Sequence, residues 1–371
     1  MKKDFDIVVV GGGIQGCGAA RSAAKDGLKV LLIEQNTWAN ATSSSSSKLI
    51  HGGLRYLQTY QFSLVRESLK EREWMLKTMP ELVKINWFYF PIYTTSVVKA
   101  WLLHMGLMTY WVLSGFSKHA TFRRIPKAQW SKLNGLNTKN LQAVFCYQDA
   151  QTDDLLLTRQ VQKEAAQNGA TCLEHTHFKN AVKCDEGYQV TIERDGVEQT
   201  ITTKLIVNAS GPWVNKVFNN ISPNMKRREI DLVQGSHIII KERISDHCFY
   251  LQVPSDQRII FVLPWKDKTM IGTTETNFTG DPADCTALAS EMDYLLDTVK
   301  HYFPEQSLTI IDSFSGLRVL PQSKGSAFSR PRDVMIQIDE NLISVYGGKL
   351  TGWRSTSKKI LKVIHTLLGD S

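Results

Sequence analysis

The feature that most constrains the fold lies at the start of the chain, where an apolar run from Asp6 leads into Gly11-x-Gly13-x-x-Gly16. An alanine-rich segment, Cys17 to Asp26, follows; Gly27 stops it, and a second apolar run, Lys29 to Ile33, ends on Glu34. This order predicts strand, glycine turn, helix and strand, a single βαβ unit. The glycines permit a tight turn and let a pyrophosphate approach the helix N-terminus. Glu34 stands eighteen residues beyond Gly16, where a carboxylate can bind ribose hydroxyls. NAD and FAD present the same ADP moiety to such a unit, so the motif alone does not choose between them.

Length and composition set the frame around that unit. With 371 residues, 42% of them hydrophobic and 22% charged, the chain can bury more than one core, and two domains are expected. Cys17, Cys146, Cys172, Cys184, Cys248 and Cys285 stand far apart with no C-x-x-C pair, which predicts no metal site and a reducing cytoplasm. Asp4 and Asp6 interrupt the apolar N-terminus, so it reads as a buried strand rather than a signal peptide. The net charge of +8 suits an anionic substrate, a membrane surface or nucleic acid. Lys and Arg are scattered and no nucleic-acid module is present, so nucleic-acid binding is not expected.

Further along, a helical pattern over Phe62–Met79 stops at Pro80, and an aromatic strand-like stretch, Trp87–Tyr93, follows. A helix is expected between Asp153 and Gly169, strands at Tyr188–Glu193 and Ile201–Val207, more strands over Ser236–Ile271, and a helix near Ala287–Tyr302. The end of the chain, Leu342 to Leu368, returns to strand, glycine turn and helix. After the βαβ unit come not further alternating strands and helices but Thr42–Ser47 and His51-Gly52-Gly53-Leu54-Arg55-Tyr56. Hydroxyls there can bind a second phosphate or a ribityl chain, and the glycines let backbone lie against a flat ring.

The segments VVVGGGIQGCGAA, TSSSSSKLIHGGLRYL, NASGPWV, QGSHIII, FVLPW with MIGTTET, FSGLRVLP and YGGKLTGWR occur in this order and span essentially the whole chain. In them the sequence resembles the FAD-dependent, quinone-linked glycerol-3-phosphate dehydrogenases. The resemblance implies an α/β and α+β fold like that of D-amino-acid oxidase, a Rossmann-like FAD-binding domain with a mixed-sheet substrate (cap) domain. Residues 1–85, 151–220 and 312–371 would form the discontinuous FAD-binding domain, and 86–150 and 221–311 the cap. Two departures stand out: the chain stops soon after the Ser355–Leu368 helix, where many members continue into a C-terminal helical domain, and Val319 and the Gly352-Trp353 pair depart from the family pattern.

By the same resemblance, FAD would be held without a covalent bond by Gly11, Gly13, Gly16, Glu34, Ser45, Ser46, Lys48, Leu49, Gly52, Gly211, Gly348, Leu350 and Thr351. A phosphate dianion needs a cationic clamp, for which the Arg fork and the Lys point charge are suited; Arg55, Lys349 and Arg318 are the candidates. Tyr56 and Thr274 are expected to hydrogen-bond the substrate. Alcohol oxidation needs a base near the reacting carbon, and His237 has the ordinary pKa for it. Arg318 is expected to take part in the chemistry as well, with the division of roles left open.

Expected partners are glycerol 3-phosphate, a quinone and a membrane surface, with a homodimer left open, and the expected location is cytoplasmic or peripheral on the cytoplasmic membrane. Ala100–Leu113 carries no charge but is too short to span a bilayer; it reads as a helix lying in the interface or as a buried cap helix. Three other functions compete: an oxidase passing electrons to oxygen, an enzyme for 2-hydroxy or amino acids, and a flavin-binding scaffold without turnover.

Overall fold

Ile7, Val8, Val9 and Val10 are all buried, so the first strand must be covered on both faces, as a parallel strand inside a layered α/β sheet is. The computed structural model describes residues 3–223, 226–322 and 333–369. In it, β1 (Phe5–Val10) pairs in parallel with β2 (Val30–Ile33) on one side and with β10 (Val197–Asn208) on the other. β7 (Thr171–Leu173) extends the sheet beyond β2, and β19 (Leu342–Tyr346) extends it beyond β10, with β18 (Met335–Asp339) antiparallel at its edge. The N-terminal half of β10 instead pairs antiparallel with β9 (Gly187–Arg194), which pairs with β8 (Thr176–Cys184), and β11 (Ile221–Ser222) adds to β8.

Side chains alternate across this sheet. Ile7 and Val9 face α1 (Ile14–Lys25), α4 (Asp154–Gln167) and α7 (Trp353–Leu368), packing with Ala20, Ala23, Leu157, Val161, Trp353 and Ile360. Val8 and Val10 face the other way, toward Tyr188, Val190 and Ile192. The small residues of α1 let α7 come close: a Cβ on Gly18 would collide with Ser357 Oγ. The turn at the end of β10 leads into the short α5 (Val214–Asn219).

A second sheet receives every remaining strand among the described residues: β3 (Leu49–Ile50), β4 (Val83–Tyr93), β5 (Phe122–Arg124), β6 (Leu141–Thr152), β12 (Ile230–Ile240), β13 (Cys248–Gln252), β14 (Ile259–Trp265), β15 (Lys268–Gly272), β16 (Thr276–Phe278) and β17 (Ile310–Pro321). Its order is β16-β12-β15-β14-β13-β4-β6-β3, with β17 running antiparallel along the whole of β12 and β5 along β6. The boundaries expected at 85/86, 150/151 and 311/312 fall inside β4, β6 and β17, because the hydrogen-bonded ladders run on past them. One face packs on α6 (Ala289–Tyr302) through Ile238, Ile240 and Ile271 against Leu295, Val299 and Tyr302. The other meets α2 (Phe62–Thr78) and α3 (Ala100–Leu113) through Phe88, Phe90, Tyr147 and Tyr250.

Helix α3 combines the two readings of its sequence. Leu103, Leu107 and Tyr110 are buried in the core, while Trp101, Leu102, Met105, Met108 and Val112 on its outer side are exposed. Among the described residues no helix is long and apolar enough to cross a membrane.

Candidate active site

A cavity of about 1050 Å³ runs from the N-terminus of α1 to the sheet face formed by β12, β14 and β17. At its first end Gly11 has φ +109°, and a Cβ on Gly16 would collide with the carbonyl oxygen of Gly11, so both positions require glycine. Glu34 Oε2 accepts a hydrogen bond from Gly12 N at 2.7 Å, and Ser43 Oγ accepts one from Ile14 N at 2.9 Å. Helix α1 has no side-chain cap of its own, so the serine run supplies it from 29 residues away. Gly11, Gly13, Glu34 and Gly211 line this end, and Ser45, Ser46, Leu49, Gly348, Leu350 and Thr351 line the middle.

The serine run is held from behind. Asp154, fully buried at the start of α4, accepts from Ser46 N and Ser46 Oγ at 2.9 and 2.7 Å through Oδ2. Its Oδ1 pairs with Lys48 Nζ at 2.5 Å, and Lys48 also donates to Ser44 O at 3.0 Å. Lys48 was expected to touch the cofactor; the structure buries it in this ion pair and not on the cavity wall. Gly52 is displaced in the same way. Its N–H donates to Tyr110 Oη at 2.9 Å, and a Cβ would strike Tyr110 and Leu69, so it packs against α3 while Gly53 lines the cavity. Gly16 does not line it either but supports the turn.

At the far end, one row of paired positions crosses five strands: Tyr250 on β13, Phe261 on β14, Gly272 on β15, His237 on β12 and Phe314 on β17. Directly paired antiparallel residues project from the same face, so the row forms a largely aromatic wall. Gly272 interrupts it because the His237 ring occupies the space of its missing side chain. His237 stacks on Phe314 with ring centroids 4.9 Å apart, and its Nε2 lies 2.9 Å from Ser47 Oγ. Burial, with Arg318 and Lys48 nearby, lowers the His237 pKa to about 3, so the imidazole is neutral near neutral pH.

Arg318 sits over Gly235, where a Cβ would collide with its guanidinium. Its Nη2 donates to Thr273 Oγ1 at 2.9 Å, its Nη1 to Thr274 O at 3.2 Å, and Glu275 Oε1 is 3.9 Å away. Thr274, expected to meet substrate through its hydroxyl, turns that hydroxyl to Glu291 on α6 at 2.6 Å; Thr273 lines the cavity in its place. Burial raises the Glu291 pKa, but hydrogen bonds from Ser236, Thr274, Thr276 and Gln234 outweigh it, leaving the carboxyl below its ordinary value. Arg55, Tyr56 and Lys349 line the cavity together, with Lys349 Nζ 3.8 Å from the centre of the Tyr56 ring.

The cavity therefore brings together Arg55, Tyr56, Lys349, His237 and Arg318. It also brings in Ser47, His51, Thr273 and Glu275, which sequence reasoning did not single out. All four lay within segments already noted, Ser47 and His51 in TSSSSSKLIHGGLRYL and Thr273 and Glu275 in MIGTTET, but no reading of those segments gave them a role. The features at the α1 end suit a dinucleotide: two enforced glycines, a helix start facing the space, a carboxylate at the turn, and a long cavity leading away past hydroxyls and the Gly348–Thr351 backbone.

Residues 6–356 match the family model described as FAD dependent oxidoreductase. The chain is 37% identical over 367 residues to D-erythritol 1-phosphate dehydrogenase of Brucella abortus, covering 95% of this chain and 72% of that protein. It is 36% identical to glycerol-3-phosphate dehydrogenase of Pseudomonas aeruginosa, with 99% and 72% covered. Among solved structures, glycerol-3-phosphate dehydrogenase from Bacillus halodurans complexed with FAD matches with a TM-score of 0.77 at 26% identity, covering 99% of this chain and 66% of that one. The L-alpha-glycerophosphate oxidase from Mycoplasma pneumoniae with FAD bound has the same fold, with a TM-score of 0.80, 18% identity, and 98% and 95% covered. The βαβ turn, the long cavity and these likenesses agree: the chain is an FAD-dependent oxidoreductase and belongs to the FAD-dependent glycerol-3-phosphate dehydrogenase family.

Proposed function

We propose that the enzyme oxidises sn-glycerol 3-phosphate to dihydroxyacetone phosphate and passes the electrons to a quinone. The observation that carries this reading is that Arg55, Lys349 and Arg318 all line the one cavity, a cationic lining suited to a small phosphate ester. FAD, when bound, supplies the acceptor for the hydride that leaves the substrate carbon. Gly11, Gly13, Glu34, Ser45, Ser46, Gly211 and the Gly348–Thr351 segment would hold it.

Arg55 offers a planar fork to the phosphate, and Lys349, positioned over Tyr56, adds a point charge. Arg318, fixed by Thr273 and Thr274, stabilises negative charge developing on the substrate oxygen. His237 takes up the hydroxyl proton, with Ser47 Oγ as the relay between the substrate and Nε2. A dianionic substrate opposes Arg318 and Lys48, two of the influences that hold the ring neutral, and so raises its proton affinity once bound.

A four-carbon substrate is a second reading, because D-erythritol 1-phosphate dehydrogenase is as similar to this chain as the glycerol-3-phosphate enzymes are. The apolar outer side of α3 supports docking on the cytoplasmic face of a membrane, where quinone resides. Anaerobic mixing with glycerol 3-phosphate, a tetritol phosphate, glycerol or an amino acid tests the substrate: glycerol 3-phosphate should bleach the flavin fastest. Reduction by an amino acid alone would refute the proposal. Reoxidation by a quinone analogue against oxygen, with peroxide measured, tests the acceptor.

A further inference from the structure

Glu275 is an ionisable residue of the cavity lining to which the reaction above gives no task. The Glu275 side chain is only 8% exposed and lines the cavity. Its neighbours explain its direction. Thr274 Oγ1 and Thr276 Oγ1 both donate to Glu291 Oε1, at 2.6 and 2.7 Å, on the α6 side of the sheet. With both flanking hydroxyls held there, the Glu275 side chain between them lines the cavity instead. Its backbone is tied once more by Arg258 Nη1, which donates to Glu275 O at 3.0 Å. The carboxylate is thus a positioned part of the wall.

A carboxylate is an acceptor without a proton to give, and nearly out of water it repels a phosphate or carboxylate placed against it. The anionic end of a substrate is therefore directed to Arg55 and Lys349, and the group that meets Glu275 must be a donor. Arg318, a donor, and Glu275, an acceptor, lie 3.9 Å apart. Side by side, they match two adjacent oxygens of one small molecule, one developing negative charge and the other carrying a proton.

Building on the substrate reading above, we propose that Glu275 accepts a hydrogen bond from the hydroxyl on the carbon next to the one oxidised. The preferred substrates are then phosphates of polyols with a free vicinal diol. Hydroxy acids are disfavoured because their carboxylate would face Glu275, and phosphates of simple secondary alcohols because they lack the hydroxyl that it accepts from.

The test compares glycerol 3-phosphate with the matching enantiomer of propane-1,2-diol 1-phosphate, which keeps the secondary alcohol and the phosphate but lacks the neighbouring hydroxyl. Both are assayed on the same flavin-loaded wild type, Glu275→Gln and Glu275→Ala proteins, so the ratio of kcat/KM values is independent of how much protein folds. Wild type should prefer glycerol 3-phosphate. In Glu275→Ala that preference should fall by about ten- to a hundredfold, the loss expected for a hydrogen bond to a charged group, with a smaller fall in Glu275→Gln. Rates on the two substrates falling in equal proportion would overturn the proposal and show that Glu275 acts through Arg318. If wild type reduces its flavin with neither substrate, the glycerol 3-phosphate reading fails first and this inference with it.

Discussion

His237 should make the protein sensitive to acid in an amount that can be worked out beforehand. Its pKa is lowered from 6.5 to about 3 in the folded state, so below pH 6.5 the unfolded chain binds a proton that the folded chain refuses. Stability is complete above the unfolded value and is lost as pH falls toward the folded one. Between pH 7.5 and 5.0 the loss from this residue is about 2 kcal/mol, rising to about 4 kcal/mol at pH 3 at 1.36 kcal/mol per pKa unit. Replacing His237→Gln keeps a polar partner for Ser47 but removes the titration. Urea unfolding of both proteins, in saturating FAD at the two pH values, isolates the effect, because groups common to both cancel in the double difference. Wild type should lose about 2 kcal/mol more than the variant over that interval. Parallel pH dependences would mean that His237 titrates normally in the folded protein, and a neutral resting imidazole would then be wrong.

Other perturbations reach the remaining parts of the site. Glu34→Ala should weaken FAD binding by about 1–3 kcal/mol, read from flavin released on dilution; unchanged affinity would remove Glu34 from the cofactor site. Arg55→Lys preserves charge but not the fork, so kcat/KM for glycerol 3-phosphate should fall steeply while the residual rate with glycerol hardly changes; equal losses would refute a phosphate clamp. Asp154→Asn should cost about 3–5 kcal/mol by leaving Lys48 buried without its counter-charge, and thermal unfolding with normal stability would show that the pair is not structural. Replacing Trp101, Leu102 and Met105 by serine should reduce co-sedimentation with lipid vesicles and leave dye-linked activity intact; retained vesicle binding would put the docking face elsewhere.

The nucleotide end was legible in the sequence because close approach demands specific residues there. Gly11 and Gly16 have no substitute when backbone atoms occupy the space of a side chain, and that need is local. What the sequence concealed was direction. Lys48 reads as a cation in a phosphate-binding run, but the carboxylate that binds it is Asp154, more than a hundred residues away. Thr273 and Thr274 are indistinguishable in composition, yet one meets Arg318 and the other Glu291. His237 was visible as a candidate base, whereas its neutral state depends on burial and on cations from two remote segments. Glu275 was silent because a glutamate near a strand end is ordinary until its neighbours fix which way it faces.

The paired row across β13, β14, β15, β12 and β17 makes the site sensitive to chain length. His237 and Phe314 face the cavity, while the next pair along, Ser236 and Ser315, faces α6, with hydroxyls 2.6 Å apart. Inserting a single residue into β12 before Ser236, with the ladder otherwise kept, would carry Ser236 into the place of His237 and send the imidazole into the place of Ile238, against the apolar side of α6. Substitutions in this wall can be graded, but an insertion exchanges its two surfaces at once. Residues added to the connections between these strands leave the two surfaces in place, whereas a residue added within a strand does not.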